Sequence, residues 1–372
     1  MEHDARALLI LVRSAAPAAV IRCLLESHGS AERALAAGAS AWRAAGLRDA
    51  HFSLLHRPEL QLLQADRDWL AVPGHHLLGW HSLDYPALLR GMAGAPAALF
   101  VAGDPDLLWH PQIAVVGTRR PSAGGQDVAR EFGETFARSG LAVTSGLAEG
   151  IDTAVHRGAL EAGRTLAVVG TGLDRVYPAS NAQLRDAIAA NGAIVSEHPP
   201  GTPPLRQHFP SRNRLIAGLS LGTVVIEAAE RSGALITARL AAEAGREVFA
   251  VPGSIRNPMA RGCHRLIRQG ANLIESPEEA IQALAPLAGE LAERLRGRLE
   301  PGLPQSDHLA PGVVPQGASE AKLLKAMGHD PVGLDQLLER TGLTVPALSA
   351  MLLAMELDGQ ISRCEGRYSR RS

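Results

Sequence analysis

From Gln112 onward the chain repeats one pattern: a short apolar run, a turn rich in small residues, then a helical stretch closed by glycine. The runs lie at 113–116, 141–144, 166–169, 193–196, 223–227, 247–251 and 271–274. Helical stretches separate most of them, among others 127–139, 151–162, 182–190 and 234–244, and Gly140, Gly163, Gly192 and Gly245 each close a helix before the next run. Runs this short and apolar throughout must be covered on both faces. Alternation with capped helices achieves that in one way, a parallel sheet with helices on either side. The expected fold is therefore α/β, a doubly wound parallel sheet.

At 372 residues the chain is too long for one ordinary domain. Residues 5 to about 60 read as short amphipathic helices (5–12, 16–25, 30–36 and 40–45) separated by Gly29, Gly38 and Gly46. A small N-terminal helical domain is expected over 1–70. A connecting segment follows over 71–110, where Tyr85-Pro86 and Ala95-Pro96 favour extended or turn structure. The α/β domain spans 111–298 and closes with a helix from Pro277 to about Arg298. Residues 299–318, rich in Pro and Gly without periodicity, read as a linker. Residues 319–372 show helices at 320–327, 334–341 and 345–357, then strand-like pieces at 361–363 and 367–369, which is the winged-helix order.

The formal net charge of -1 gives no bulk attraction for nucleic acid, so any anion site must be local. Cys23, Cys263 and Cys364 lie far apart and suit a reducing compartment rather than a disulfide framework or zinc site. Glu2 and Asp4 stand where a signal peptide would be basic, and no apolar run approaches the ~20 residues that span a bilayer. The expectation is a soluble, cytoplasmic protein without membrane association, metal or cofactor.

In open α/β sheets ligands sit at the carboxyl ends of the strands. After the first run comes Gly117-Thr118-Arg119-Arg120-Pro121-Ser122-Ala123-Gly124-Gly125, in which small residues admit a phosphate, Ser122 caps a helix and Arg119 adds a charged fork. Ser145-Gly146-Leu147-Ala148-Glu149-Gly150-Ile151-Asp152 and Gly170-Thr171-Gly172 follow the next two. After the fourth comes Phe209-Pro210-Ser211-Arg212-Asn213-Arg214, read as the start of a helix. Cations at a helix N-terminus are mildly unfavourable unless an anion answers them, and Phe209 offers a face on which a base stacks. The competing reading pairs the arginines with Glu227 or Glu230. Together the four loops describe an extended anion-binding edge.

Other chemistry is thinly represented. No Gly-Lys pair exists for a Walker A loop, and the first loop is not Gly-x-Gly-x-x-Gly, which argues against a dinucleotide. Ser145 has no obvious base, since a histidine at position 156 more often packs against the sheet. The expected third helix of the C-terminal unit presents Ser349 and Glu356 among apolar residues, unlike a helix that reads DNA bases.

At these residues the chain resembles the DNA-processing protein A (DprA/Smf) family of natural transformation. The similarity runs through Val116-Gly117-Thr118-Arg119, the 145–152 loop, Gly172-Leu173-Asp174 with Tyr177-Pro178, residues 209–220, Glu227-Ala228, 232–238 and Val251-Pro252-Gly253, and covers about 110–285 closely. The resemblance implies an extended Rossmann-like core that binds single-stranded DNA in a pocket. It further implies a homodimer that delivers DNA to the RecA recombinase and displaces single-strand binding protein, without catalysing a reaction. Carried over by position, Arg119, Phe209, Arg212 and Arg214, with Asn213 and Ser122 beside them, contact the strand, and Gly117, Thr118, Ser145 and Gly146 supply close backbone and hydroxyl contacts. Ala179 stands where many relatives place Lys or Arg after the Tyr-Pro pair, and Thr118 where Ser is usual. The alternative is an enzyme hydrolysing a nucleoside monophosphate on a related core. It would need a Pro-Gly-Gly phosphate loop, which this sequence lacks.

Overall fold

The computed structural model describes residues 2–92, 94–299, 332–341, 361–364 and 367–370, with Leu348 and Leu352. They fall into two units, Met1–Pro301 and Gly302–Ser372.

The first unit opens with helices α1 (Glu2–Arg13), α2 (Ala18–His28), α3 (Ala31–Ala36), α4 (Gly38–Ala44), α5 (Asp49–His56) and α6 (Leu60–Leu70). Leu8, Leu9, Leu11, Leu24, Leu25, Trp42, Leu55 and Leu63 are buried among them. Ser30 caps α3 by accepting from the Arg33 amide, and Gly29 ends α2 in the left-handed region at φ 74.

The sheet has nine strands: β1 (His75–Gly79), β2 (Ala98–Gly103), β3 (Gln112–Gly117), β4 (Ala142–Ser145), β5 (Thr165–Val168), β6 (Ala193–Ser196), β7 (Gly222–Ile226), β8 (Glu247–Ala250) and β9 (Asn272–Leu273). Their order is β1-β2-β6-β5-β4-β3-β7-β8-β9, and β3 through β9 run parallel. The segment 71–110, expected as a connection, instead adds two strands to the edge beside β6, with β2 antiparallel to β6 and β1 antiparallel to β2. The reason is local: Leu99, Phe100 and Val101 form a fully buried run, and Tyr85-Pro86 and Ala95-Pro96 fall outside the strands, where proline removes no ladder bond.

Helices α7 (Ala87–Arg90), α8 (Ala123–Arg138), α9 (Ile151–Ala162), α10 (Ala182–Asn191), α11 (His208–Leu219), α12 (Gly233–Glu243), α13 (Arg261–Arg268) and α14 (Pro277–Leu299) complete the unit. Residues of β3 alternate between two apolar clusters, as a strand's two-residue period requires. Ala114 and Val116 join the cluster that includes α11, α12 and the N-terminal helices; Ile113 and Val115 join Phe132, Phe136 and Val155 of α8 and α9. The chain runs outward from β3 to β6 on one side and returns to β7 on the other. The order of connection therefore reverses at β3, which places the crevice at its carboxyl end.

In the second unit α15 (Leu334–Thr341) accompanies an antiparallel ribbon of β10 (Val332–Gly333), β12 (Arg367–Arg370) and β11 (Ile361–Cys364), ordered β10-β12-β11. The stretches 300–318 and 320–327 lie outside the described residues. So does 345–357, apart from the buried Leu348 and Leu352.

Candidate functional site

A cavity of about 480 Å³ opens at the carboxyl ends of β3, β4 and β7, bounded by the loop after β3, the start of α9, the first turns of α11 and the N-terminus of α12. Gly117, Thr118, Arg119, Phe209, Arg212 and Asn213 all line it, so six of the ten residues singled out in sequence meet there. Arg120 and Arg231 line it too. The side chains of Arg119, Arg120 and Arg231 are exposed and make no ion pair or hydrogen bond among the described residues. Three guanidinium groups uncompensated among the described residues surround one concavity, with the Ser232-capped start of α12 beside them, a local concentration of positive charge in a chain of nearly zero net charge.

Phe209 stands in the first turn of α11, where Pro210 is tolerated. Its half-buried ring meets Tyr177 at 5.2 Å between centroids, inclined by 42°. Tyr177 is 44% exposed and lies outside the cavity lining, so a second aromatic face adjoins the one that Phe209 offers to the cavity. The start of α11 is fixed from behind. His208 Nδ1 lies 3.1 Å from the Gly170 carbonyl and its ring stacks on His198 at 3.9 Å. Burial brings His198 down to about 4, so the stack carries no charge on that ring at neutral pH.

The two arginines of this motif are not the pair of prongs expected. Arg212 lies in the second turn, 5% exposed, and its Nη1 donates to the Gly146 carbonyl at 2.7 Å and to the Val168 carbonyl. Its Nε donates to Asn213 Oδ1. Burial lowers Arg212 to about 10; Asp152 opposes that and Arg119 adds to it. Asp152 is raised by burial, with Arg212 holding it down, and its Oδ2 accepts from the amides of Gly146 and Ala148. Arg214 is outside the cavity lining and pairs with Glu197 at 2.6 Å. Helix geometry is the cause: residues two apart point to nearly opposite sides, so one guanidinium ties the cavity floor and the other leaves it. Neither Glu227 nor Glu230 is the partner of either arginine.

The small residues of the loops serve the sheet's own packing. A β-carbon on Gly117 would stand 2.0 Å from the Ile226 carbonyl oxygen, and one on Gly146 would stand 2.7 Å from both Arg212 Nη2 and Asp152 Oδ2. Ser145 is fully buried and its Oγ donates to the Val115 carbonyl at 2.6 Å, so its hydroxyl faces inward. Ser122 caps α8, accepting from the Gly125 amide, while its Oγ donates to Glu227 at 2.6 Å. Thr118 remains at the cavity, with Oγ1 accepting from the Arg120 amide.

Glu227 is the knot of this edge. It adopts φ 50, a left-handed backbone rare for a side chain of its size. Its carboxylate accepts from the Ser122 amide, Ser122 Oγ and Asn257 Nδ2, and its carbonyl accepts from the Thr118 amide at 2.7 Å. The loops after β3, β7 and β8 are thereby laced together.

Ser145 and His156 form no nucleophile and base. Thr165 Oγ1 donates to the Val143 carbonyl, so it accepts from His156 Nδ1 at 2.7 Å, leaving Nε2 unprotonated, buried and without a partner. Burial, with Arg212 nearby, accordingly pushes His156 down to about 3. Among the described residues no group of three His, Cys, Asp or Glu stands close enough to hold a metal ion.

Sequence reasoning missed Arg120, Arg231 and the ring of Tyr177. Arg120 sits beside Arg119 in the loop already singled out, and Tyr177 opens the Tyr-Pro pair. Arg231 gave no signal beyond preceding the capped start of α12.

Comparisons with known proteins place the chain in a family. Residues 76–285 match the family model described as DNA recombination-mediator protein A, and residues 308–367 match that of the DprA winged helix domain. The chain is 42% identical to Protein Smf of Escherichia coli over 306 residues, 81% of this chain and 79% of that protein. It is 47% identical to the DNA processing protein DprA of Streptococcus pneumoniae over 198 residues, 53% of this chain and 70% of that one. The X-ray structure of the pneumococcal DprA superposes with TM-score 0.67 at 36% identity, covering 74% of this chain and 95% of that one. The DNA processing protein A from Helicobacter pylori, known for a unique single-stranded DNA binding mode, superposes with TM-score 0.52 at 28% identity, covering 57% of this chain and 96% of that one. With a crevice at the sheet's reversal point, a guanidinium-rimmed cavity beneath a stacking ring, and matches across both units, the chain belongs to the DNA recombination-mediator protein A (DprA/Smf) family.

Proposed function

We propose that this protein binds single-stranded DNA in the cavity at the carboxyl edge of β3, β4 and β7 and acts as a non-catalytic recombination mediator. It would hand the strand to the RecA recombinase, displacing single-strand binding protein, as a cytoplasmic homodimer. The observation that carries the reading is the set Arg119, Arg120 and Arg231, unpaired among the described residues around a concavity lined by Phe209, whose ring Tyr177 adjoins. Guanidinium groups take phosphates of any sequence, and aromatic faces take unpaired bases. Thr118 and Asn213 supply neutral hydrogen-bonding groups at the same surface. In this reading Arg212 and Arg214 position the site, and Gly117, Gly146, Ser122 and Ser145 shape its loops. The Helicobacter pylori relative's single-stranded DNA binding supports the assignment. The nucleotide-hydrolase alternative is less favoured, since it needs a carboxylate beside a Pro-Gly-Gly phosphate loop and this sequence has no Pro-Gly-Gly.

Fluorescence titration of labelled oligothymidylate tests the proposal. Phe209→Ala should weaken binding by about 1–3 kcal/mol. Arg119→Ala should lower the salt slope by about 0.7 per lost phosphate contact. Duplex of the same length should bind far more weakly. Unchanged binding in both folded variants would refute the site.

A further inference from the structure

The strand order places the loops after β3, β7 and β8 side by side on the same edge of the sheet. The cavity occupies the β4, β3 and β7 positions, and β8 lies one strand further out. At the typical strand spacing of about 4.8 Å, the β8 loop stands roughly 15 Å from the β4 end of the cavity. That distance exceeds what one nucleotide in the cavity would span.

Two features make the β8 loop more than a turn. Ile255, at its tip, is 83% exposed, and Arg256 beside it is exposed without an ion pair or side-chain hydrogen bond among the described residues. The loop is also anchored to the cavity wall. Asn257 donates to Glu227, which holds Ser122, and Met259 lines the cavity. His264 Nε2, 2.9 Å from the Gly253 carbonyl, steadies its other end. Arg231, on the loop after β7, the strand between β3 and β8, lines the cavity, and Glu230, the exposed acid next to it, pairs with neither arginine among the described residues.

We infer that the nucleic-acid track does not end in the cavity but continues past Arg231 onto the β8 loop. There Arg256 takes a further phosphate and Ile255 presents an apolar face to the adjoining base. The inference rests on the proposed binding of single-stranded DNA. It adds that the protein's footprint exceeds the cavity by one to two nucleotides, along the direction β4 to β8.

The test titrates oligothymidylates from about 4 to about 20 nucleotides, at several salt concentrations, against the parent, Phe209→Ala, Arg256→Ala, Ile255→Ser and Arg239→Ala. Arg239 is a charge-matched control, an exposed arginine paired with Glu243 on α12. Arg256→Ala should bind the shortest oligonucleotide like the parent, and the longest about fivefold more weakly at about 0.1 M salt, with a slope shallower by about 0.7. Ile255→Ser should weaken only the longer oligonucleotides and leave the slope unchanged. The inference falls if Arg256→Ala and Ile255→Ser match the parent at every length while Phe209→Ala binds weakly; the cavity reading then stands alone. It falls equally if Arg256→Ala weakens all lengths alike, or if Arg239→Ala does the same as Arg256→Ala. A parent that Phe209→Ala leaves unaffected removes the cavity reading and this extension together.

Discussion

Replacing Arg212 separates a binding role from a positioning one. The guanidinium is 5% exposed and holds two backbone carbonyls, Gly146 and Val168, beside the buried Asp152. Arg212→Ala strands both acceptors and leaves Asp152 without its cationic neighbour, a loss of about 3–5 kcal/mol for a buried charge deprived of its partner. Unfolding entropy of about 2.1 cal/mol/K per residue gives ~0.6 kcal/mol/K over Met1–Pro301, so the melting temperature should drop by roughly 5–8 °C. Scanning calorimetry reads this directly. Arg212→Met combined with Asp152→Asn should recover at least half of the loss, because neutral replacement of both charges leaves neither one orphaned, and the carbonyl oxygen of the introduced asparagine can still accept from the Gly146 and Ala148 amides. Oligonucleotide binding should weaken in Arg212→Ala only as far as the cavity floor relaxes, with the salt slope unchanged. A variant melting within about 1 °C of the parent, yet with a flattened salt slope, would refute the positioning role and restore Arg212 as a phosphate contact.

Other expectations follow from the same geometry. Gly117→Ala should destabilise by about 3 kcal/mol or more, since its β-carbon would meet the Ile226 carbonyl, whereas Gly124→Ala, with open space around it in α8, should stabilise by about 0.5–1 kcal/mol in urea titration. Arg214→Ala should lower stability by about 1–3 kcal/mol by stranding Glu197, without changing the salt slope of oligonucleotide binding. His156 protonates only near about 3 in the folded chain, against 6.5 for the free side chain, so the unfolded state takes up the proton first on acidification. That contribution is complete above pH ~6.5 and is lost as pH falls toward 3, ~3 kcal/mol by pH 4. His156→Asn should flatten the pH dependence of the urea midpoint over this window, and an unaltered profile would reject the assignment.

The parallel core was legible because the strand runs and helix ends carry their own signals: apolar runs too short for helices, and glycine before the next run. The edge strands β1 and β2 were not, since His75–Gly79 and Ala98–Gly103 are isolated short runs on either side of the proline dipeptides, outside the repeating pattern of run and capped helix that marks the core strands. The loops bearing Gly117, Thr118, Arg119 and Phe209 could be placed at one edge from topology alone. Which arginine faces the cavity could not. Positions two apart on α11 send Arg212 to the floor and Arg214 to Glu197, and that choice depends on which side of the helix packs against β4 and β5. Glu227 shows the same limit, for its ligands come from two other loops that only folding brings within reach.

Sequence by itself determined the layer architecture, because local propensity and burial period are properties of neighbours in the chain. Tertiary structure decided which charges stay free. Whether a guanidinium answers a carbonyl, a carboxylate or solvent depends on groups distant in sequence, and low exposure there turns a surface charge into an internal tie.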